Sequence, residues 1–592
     1  MGSEKKFSEV FCDLLIELGY KDCFFVAGGN SMHLLDAART RFTCHPVVHE
    51  MSAVIAAEYA NAAESNRKAW ALLTAGPGLT NAITGIAGSW LESRELLIVG
   101  GQVKSVDLKR TAKRQNGIQE IDGVELVRSI TKRAYLADSV DCLPEVVDVI
   151  KCSQEGRKGP VFIEVPIDIS GAKVADMGTA SLVASAYLEE PRPETLELGR
   201  VADIYNRAKR PLFLMGQGVS RSKALECGRF LLQNHIPVAT TWTGADRFGF
   251  DFENYVGRPN FFGMRSSNLI VQKADAIFAV GARLGMQQVG FNAGAFAPNA
   301  EIVHVDIDPL ELDSEVPRKA LRLLQDGDSF LKWIMETNEL APKGEDWLLH
   351  CQEVMSNFPL IEEIGIDSGS FVNPYSLISS VSDLLTSSDL ITSCSSGGTF
   401  TAFMQSFKNK TGQVILSNKG LASMGYGLAG SIGLAFSRPN SRVVLFEGDG
   451  GFAQNLQELG TVAASKLPIK MFVFDNNGYA SIRASQRAHF EGKYIGCDSD
   501  TGLGLPDWNQ LASSYGISYT RVDSLPSNEE LSALLESKWP EFIHVMVDPG
   551  FEYLPKIKSF VQKDGSMLSN SLDEMHPPVP REKQGLAYRY IR

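Results

Sequence analysis

Short, unbroken apolar runs alternate along the chain with longer segments whose apolar residues recur at helical spacing. The pattern is plainest in three places: AWALLTAGPGLTNAITGIAGSWLESRELLIVGG (69–101), RPLFLMGQGVSRSKALECGRFLLQNHIPVATT (210–241) and RVVLFEGDGGFAQNLQELGTVAASKLPIKMFVFDNN (442–477). Each reads as strand, glycine turn, helix, strand. Runs this rich in Val, Ile, Leu and Phe suit strands buried on both faces. A strand–helix–strand crossover joins parallel strands. The pattern predicts an α/β chain of three doubly wound parallel-sheet domains, at 1–175, 195–340 and 370–550. A tail at 551–592 lacks clear periodicity and is expected to wrap over a surface. The polar stretch 171–198, with prolines near its end, reads as a linker, and a second break is expected near 340–372.

Composition narrows the class. The chain has 592 residues, 44% of them hydrophobic, which suits about three domains at roughly 100–200 residues each. A net charge of -13 with no basic run argues against nucleic acid as a partner. The cysteines number nine, an odd count without a C-x-x-C pair, as expected in a reducing, cytoplasmic setting. No apolar run reaches the ~18 residues of a membrane span. Residues 7–18 place Phe7, Phe11, Leu14 and Leu18 on one helical face, with no secretory signal.

The third unit carries oxygen ligands. Asp449 ends one strand and Asn476 the next, so both side chains should emerge at the carboxyl edge of the sheet, where open α/β sheets bind ligands. A helix is expected to start near Asn455. Gly448, Gly450 and Gly451 allow close backbone approach. A carboxylate, an amide oxygen and the Gly478 carbonyl would suit Mg²⁺, which favours octahedral oxygen coordination completed by phosphate and water. Singly, Asp449 could be a helix cap and Asn476-Asn477-Gly478 a turn.

Gly448-Asp449-Gly450 followed by Asn476-Asn477 resembles the diphosphate motif of thiamine-diphosphate (ThDP) enzymes. Over nearly the whole chain the resemblance is to the acetolactate synthase-like family, especially members linked to bacterial surface-sugar pathways. It implies an N-terminal pyrimidine-binding domain, a central domain and a C-terminal diphosphate-binding domain. Asp449, Asn476 and Gly478 would hold Mg²⁺ on ThDP, with Ser396, Gly397, Gly448, Gly450, Gly451 and Tyr479 around it. His49-Glu50 before a small-residue helix resembles the segment of the family's activating glutamate, although by itself Glu50 is an acid favoured at a helix N-terminus. The loops 24–37 and 74–86 would add Gly28, Gly29 and His33, and Thr74, Pro77 and Asn81. His33 alone reads equally as a core histidine. Gln119 matches an active-site glutamine, and Met424 the residue that bends the cofactor.

The resemblance further implies a homodimer or homotetramer, with the active site at the subunit interface. The implied reaction is decarboxylation of a 2-oxo acid, pyruvate foremost, with transfer of the acyl unit to a carbonyl acceptor. Simple decarboxylation is the alternative. The G-x-G turns also leave a nucleotide-dependent oxidoreductase open, although none carries the full G-x-G-x-x-G fingerprint with its acid. FAD-binding members carry GARFDDR-like and GMHG-like segments. Here these read Gly281-Ala282-Arg283-Leu284-Gly285 and Gly263-Met264-Arg265-Ser266, which leaves FAD open. The polar stretch 481–508, with Arg483, Gln486 and Arg487, points to a polar acceptor such as a keto-sugar.

Overall fold

All three predicted strand–helix–strand units are present in the computed structural model, which describes residues 4–108, 113–174, 195–313, 320–362, 369–562, 564–565 and 567–591. Most of the expected linker lies outside the described residues. The N-terminal sheet contains β1 (Tyr20–Phe25), β2 (Thr43–Pro46), β3 (Lys68–Leu73), β4 (Leu96–Gln102), β5 (Arg133–Leu136) and β6 (Pro160–Pro166), in the order β2-β1-β3-β4-β6-β5. The central sheet contains β7 (Pro211–Met215), β8 (Val238–Thr240), β9 (Ala276–Val280), β10 (Glu301–Asp306) and β11 (Ala320–Leu324), in the order β8-β7-β9-β10-β11. The C-terminal sheet contains β12 (Leu390–Ser393), β13 (Val414–Leu416), β14 (Val443–Gly448), β15 (Ile469–Asp475), β16 (Ser518–Val522) and β17 (Glu541–Met546), in the order β13-β12-β14-β15-β17-β16.

Every pairing within these sheets is parallel. The first and third sheets share one strand order, so the same topology occurs twice. In each sheet the order reverses beside its first strand, between β1 and β3, β7 and β9, and β12 and β14. The crevice outside the carboxyl ends of such strands is where open α/β sheets take ligands.

Two helices join the N- and C-terminal domains: α1 (Glu50–Ala62) and α2 (Tyr426–Ser437). Both are buried on nearly all sides, which suits an α1 rich in Ala and an α2 rich in Gly, Ala and Leu. They cross at backbone contact. A Cβ on Gly433 would lie 2.1 Å from the Ala56 carbonyl oxygen, and one on Gly430 would lie 2.4 Å from the Tyr59 ring. Beside the crossing, buried Glu58 accepts from Arg94 Nη1 (2.8 Å) and Tyr426 Oη (2.6 Å). Arg94 Nη2 donates to the Ser417 carbonyl (2.8 Å). Burial raises Glu58 to about 7 despite the guanidinium beside it.

The C-terminal tail does more than cover a surface. Leu572, Met575, Val579 and Ala587 are buried in the central domain's core. Lys273 Nζ, fully buried, donates to the Leu586 carbonyl (2.5 Å) and lies 3.1 Å from His350 Nε2. Irregular chain with spaced anchors has no period to read. The helix Asp346–Asn357 also packs Trp347, Cys351 and Val354 into this core. The nine cysteines are all free thiols. No helix among the described residues is long and apolar enough to cross a membrane.

A methyl group at position 433 must push two helix backbones apart. Gly433→Ala is expected to destabilise the protein by about 1–3 kcal/mol. Gly294→Ala, where a Cβ meets nothing within 4 Å, should stay within about 0.5 kcal/mol. Urea denaturation of the two variants checks both.

Candidate active site

The C-terminal cluster sits at the reversal between β12 and β14. Asp449 follows β14 and opens a helix at once, over Asp449–Phe452, rather than near Asn455 as expected. Asn455 interrupts the helical run (φ -141°) because its amide is used elsewhere, donating to the Gly425 carbonyl and Ser52 Oγ (3.0 Å each). Asp449 is 2% exposed. Its Oδ1 accepts from Gly450 N (2.8 Å) and its Oδ2 from Gly478 N (2.6 Å). Gly478 needs its φ of +102° to point that N–H inward.

Burial pushes the Asp449 carboxyl well above the ordinary range, and the nearby Asp475 carboxylate adds to the push. Asp475 is also penalised by burial, yet is held at about 2 by His544 and the Asn477 N–H. His544 Nε2 lies 2.8 Å from Asp475 Oδ2, Trp508 Nε1 donates to that oxygen at 3.1 Å, and Tyr519 Oη lies 2.8 Å from His544 Nδ1. Neighbouring carboxylates raise each other's cost of ionising, and of the two Asp475 has the partners that favour its charge.

Asn476, at the end of β15, is 6% exposed, and its Oδ1 is buried without a partner. The Gly478 carbonyl accepts from Ala480 N (3.1 Å) and keeps a second lone pair. Among the described residues no three His, Cys, Asp or Glu side chains converge as a metal cluster. A carboxylate, an orphaned amide oxygen and a carbonyl suit a hard cation instead.

Beside them, the ten-residue helix α3 (Gly397–Ser406) starts with no side-chain cap from Ser396. Gly397 has φ +82° and open space where a Cβ would be. Ser395 Oγ is buried and unpartnered there. An uncapped helix N-terminus offers N–H donors to phosphate. Tyr479 lies on Gly450, where a Cβ would sit 2.4 Å from its ring. A Cβ on Gly451 would meet Glu447 Oε1 at 2.6 Å, whereas one on Gly448 has Thr399 as its nearest neighbour at 3.6 Å. Met424 precedes α2, with Gln454 Nε2 3.7 Å from its sulfur.

The N-terminal cluster occupies the matching reversal between β1 and β3. Gly28 follows β1, and a Cβ on it would lie 2.3 Å from Thr74, which follows β3. Pro77 begins a helix over Pro77–Leu91 that carries Asn81. Asn81 Nδ2 donates to Glu50 Oε2 (3.0 Å). A Cβ on Gly78 would sit 3.8 Å from Glu50 Oε1. Gln119 joins this group from afar, since a Cβ on Gly76 would meet its carbonyl oxygen at 2.4 Å. Gln119 itself has φ +65°, a strained conformation for a non-glycine residue. Gly29 is open. His33 has another setting, its ring against Gly171.

The start of α1 is set by the C-terminal domain. Glu458 accepts from Val48 N (3.2 Å) and His49 N (3.0 Å), and Ser52 Oγ lies 3.2 Å from Asn455 Oδ1. Sequence reasoning missed Glu458, Asn455, Asp475 and His544. Only Asp475, adjacent to Asn476, carried a local signal.

Two expectations change. Arg483 donates to the carbonyls of Asn476, Asn477 (2.5 Å) and Cys497 (3.3 Å), and Gln486 bonds the Ile495 backbone. They brace the loop through these bonds, and Arg487, its side chain 51% exposed, lies 3.7 Å from Glu552 Oε1. A cavity of about 810 Å³ opens at the central reversal, lined by Gln217, Trp242, Gly281, Arg283, Asp306 and Lys419 among others. Arg283 pairs with Glu311 (3.2 Å). Met264, Arg265 and Ser266 are buried away from it, with Arg265 bonded to Glu362 (2.7 Å) and the Pro577 carbonyl (2.8 Å).

Family models match three stretches: the N-terminal TPP binding domain of thiamine pyrophosphate enzymes at residues 5–126, the central domain at 198–334 and the C-terminal TPP binding domain at 396–545. The acetolactate synthase isozyme 2 large subunit of Escherichia coli (strain K12) is 30% identical over 538 residues, covering 90% of this chain and 93% of that protein. The acetolactate synthase large subunit of Lactococcus lactis subsp. lactis is 26% identical over 571 residues, covering 96% and 97%. Acetolactate synthase 3, chloroplastic, of Brassica napus is 29% identical over 575 residues, covering 94% and 85%.

The raised Asp449 carboxyl sets a pH dependence. A carboxyl raised on folding binds more protons folded than unfolded, so its contribution to stability falls as pH rises above the ordinary 3.8. Without metal or cofactor, the stability of Asp449→Asn relative to the wild type should therefore increase as pH rises above that value, because only the wild type carries the titrating carboxyl. Thermal melts across that range measure it.

Proposed function

Because the chain belongs to the thiamine pyrophosphate enzymes, in their acetolactate synthase family, we propose that its two clusters form one active site that decarboxylates pyruvate and passes the acyl unit to a carbonyl acceptor. The protein is a ThDP-dependent carboligase of the acetolactate synthase type. The observation that carries the site assignment is the orphaned, buried Asn476 oxygen beside a buried carboxyl whose ionisation burial and the Asp475 carboxylate oppose.

Asp449, Asn476 and the Gly478 carbonyl hold Mg²⁺. The α3 N-terminus at Gly397, with Ser396, takes the diphosphate end. Bound ThDP supplies the electron sink that lets a 2-oxo acid lose carbon dioxide and its acyl unit join a second carbonyl. Glu50, oriented by Asn81, would exchange a proton with the pyrimidine end of the cofactor. Gly28, Gly29, Thr74, Pro77 and Gln119 would line that end, and Met424 would contact the cofactor. Glu50 of one copy serves Asp449 of another in a homodimer or homotetramer in the cytoplasm. FAD stays doubtful: Met264-Arg265-Ser266 is buried and committed to other partners, whereas Gly281 and Arg283 line the central cavity. The surface-sugar branch is the finer reading; it rests on the polar composition of the stretch 481–508, although Arg483 and Gln486 within it are bonded to the loop backbone.

Glu50→Gln should lower turnover by about 10²–10⁴-fold while calorimetry still detects ThDP binding with Mg²⁺. Mass spectrometry of products from pyruvate, with and without added carbonyl acceptors including keto-sugars, should show a carbon–carbon ligation product. Acetaldehyde alone would leave simple decarboxylation. The purified protein should show no flavin absorbance.

A further inference from the structure

His544 is a buried histidine that no motif singles out, and its ring stands between a phenol and a carboxylate. Three adjacent strands supply the three groups: Tyr519 on β16, His544 on β17 and Asp475 at the end of β15. Tyr519 pairs with Phe542 and Val473 with His544, so all three side chains stand on one face of the sheet. Tyr519 Oη lies 2.8 Å from His544 Nδ1, and His544 Nε2 lies 2.8 Å from Asp475 Oδ2. Trp508, which opens the helix Trp508–Ser514, donates to the same oxygen at 3.1 Å. The other oxygen, Asp475 Oδ1, accepts from Asn477 N at 2.8 Å.

A carboxylate only accepts, so Nε2 carries its hydrogen toward Asp475, and Nδ1 of the neutral ring accepts from Tyr519. Both Asp475 oxygens are then engaged, one of them by the turn that follows. That turn needs holding. Asn477 has φ +60° and Gly478 φ +102°, and left-handed backbone at a non-glycine residue persists only where its surroundings impose it. Arg483 holds the turn by the carbonyls of Asn476 and Asn477, and Asp475 holds it by the Asn477 N–H. We propose that His544 is a positioning residue for metal binding: it fixes the Asp475 carboxylate, which fixes the turn that presents Asn476 Oδ1 and the Gly478 carbonyl to the cation. This rests on the assignment of Asn476 and Gly478 as ligands. The edge of the C-terminal sheet thereby reaches the metal through one hydrogen-bonded chain across three strands.

His544→Leu removes the donor to Asp475, whereas His544→Gln keeps one in its side-chain amide. In the ligand-free His544→Leu protein, amide hydrogen exchange over residues 475–480 should quicken about tenfold, with exchange in β12 unchanged. Calorimetric titration of Mg²⁺ in the presence of ThDP should show affinity weakened about tenfold, the worth of one hydrogen bond to a charged group. His544→Gln should bring both readouts back to within about threefold of the wild type. Ile543→Val loosens the opposite face of the same strand and should move neither, which separates positioning from a general loss of stability. Should His544→Leu not fold, Trp508→Phe removes the other donor to Oδ2 and replaces it, with the same expectations for the turn and for Mg²⁺. Unchanged exchange at the turn, unchanged Mg²⁺ affinity, no recovery with glutamine, or an equal effect from Ile543→Val would overturn the proposal. A wild-type protein that binds ThDP without Mg²⁺ overturns the metal assignment instead, and the proposal falls with it.

Discussion

Two carboxyl groups share one buried sheet edge, and only one has a partner that can support its charge. Asp475 has His544 and the Trp508 indole; Asp449 has two backbone N–H groups and little else. Around this imbalance the site makes sense. A buried carboxyl without a charged partner carries a cost, and the orphaned Asn476 oxygen adds to it. Under the proposed assignment a divalent cation would relieve both, so the same two groups would supply its affinity.

The second constraint is mechanical. The Glu50 cluster belongs to the first sheet and the Asp449 cluster to the third, so the junction between those domains fixes how each chain presents its two clusters. The contact between α1 and α2 is made by backbone, with Gly433 against the Ala56 carbonyl, and permits little sliding. Glu458 then sets the first turn of α1 through two N–H groups. The helix carrying Glu50 is positioned from the opposite domain, and Asn81 completes the alignment from its own.

Each sheet reverses its strand order beside its first strand, and the chain fills the three crevices differently: small residues and Glu50 at the first, a cavity of about 810 Å³ at the second, and the Asp449 and Asn476 oxygens at the third. A duplicated topology thus carries different residue chemistry in its two copies.

Alternation of apolar runs and helical periods was enough to read the three α/β units, and the spacing of Asp449 and Asn476 on one unit was enough to suspect a cation. Those features are local, each lying within one strand–helix–strand stretch. The partners of these groups are not local. Val48 meets Glu458, Gly76 meets Gln119 and Asp475 meets His544 only because sheets close and helices cross, and no periodicity encodes such contacts. Arg483 shows the same limit from the other side: a polar residue near a site reads as substrate-facing until its donors are seen on backbone carbonyls. The residue types that could do the chemistry were determined by sequence alone. Which of them were free to do it was decided by the tertiary structure, because a hydrogen bond already made leaves nothing to offer a ligand.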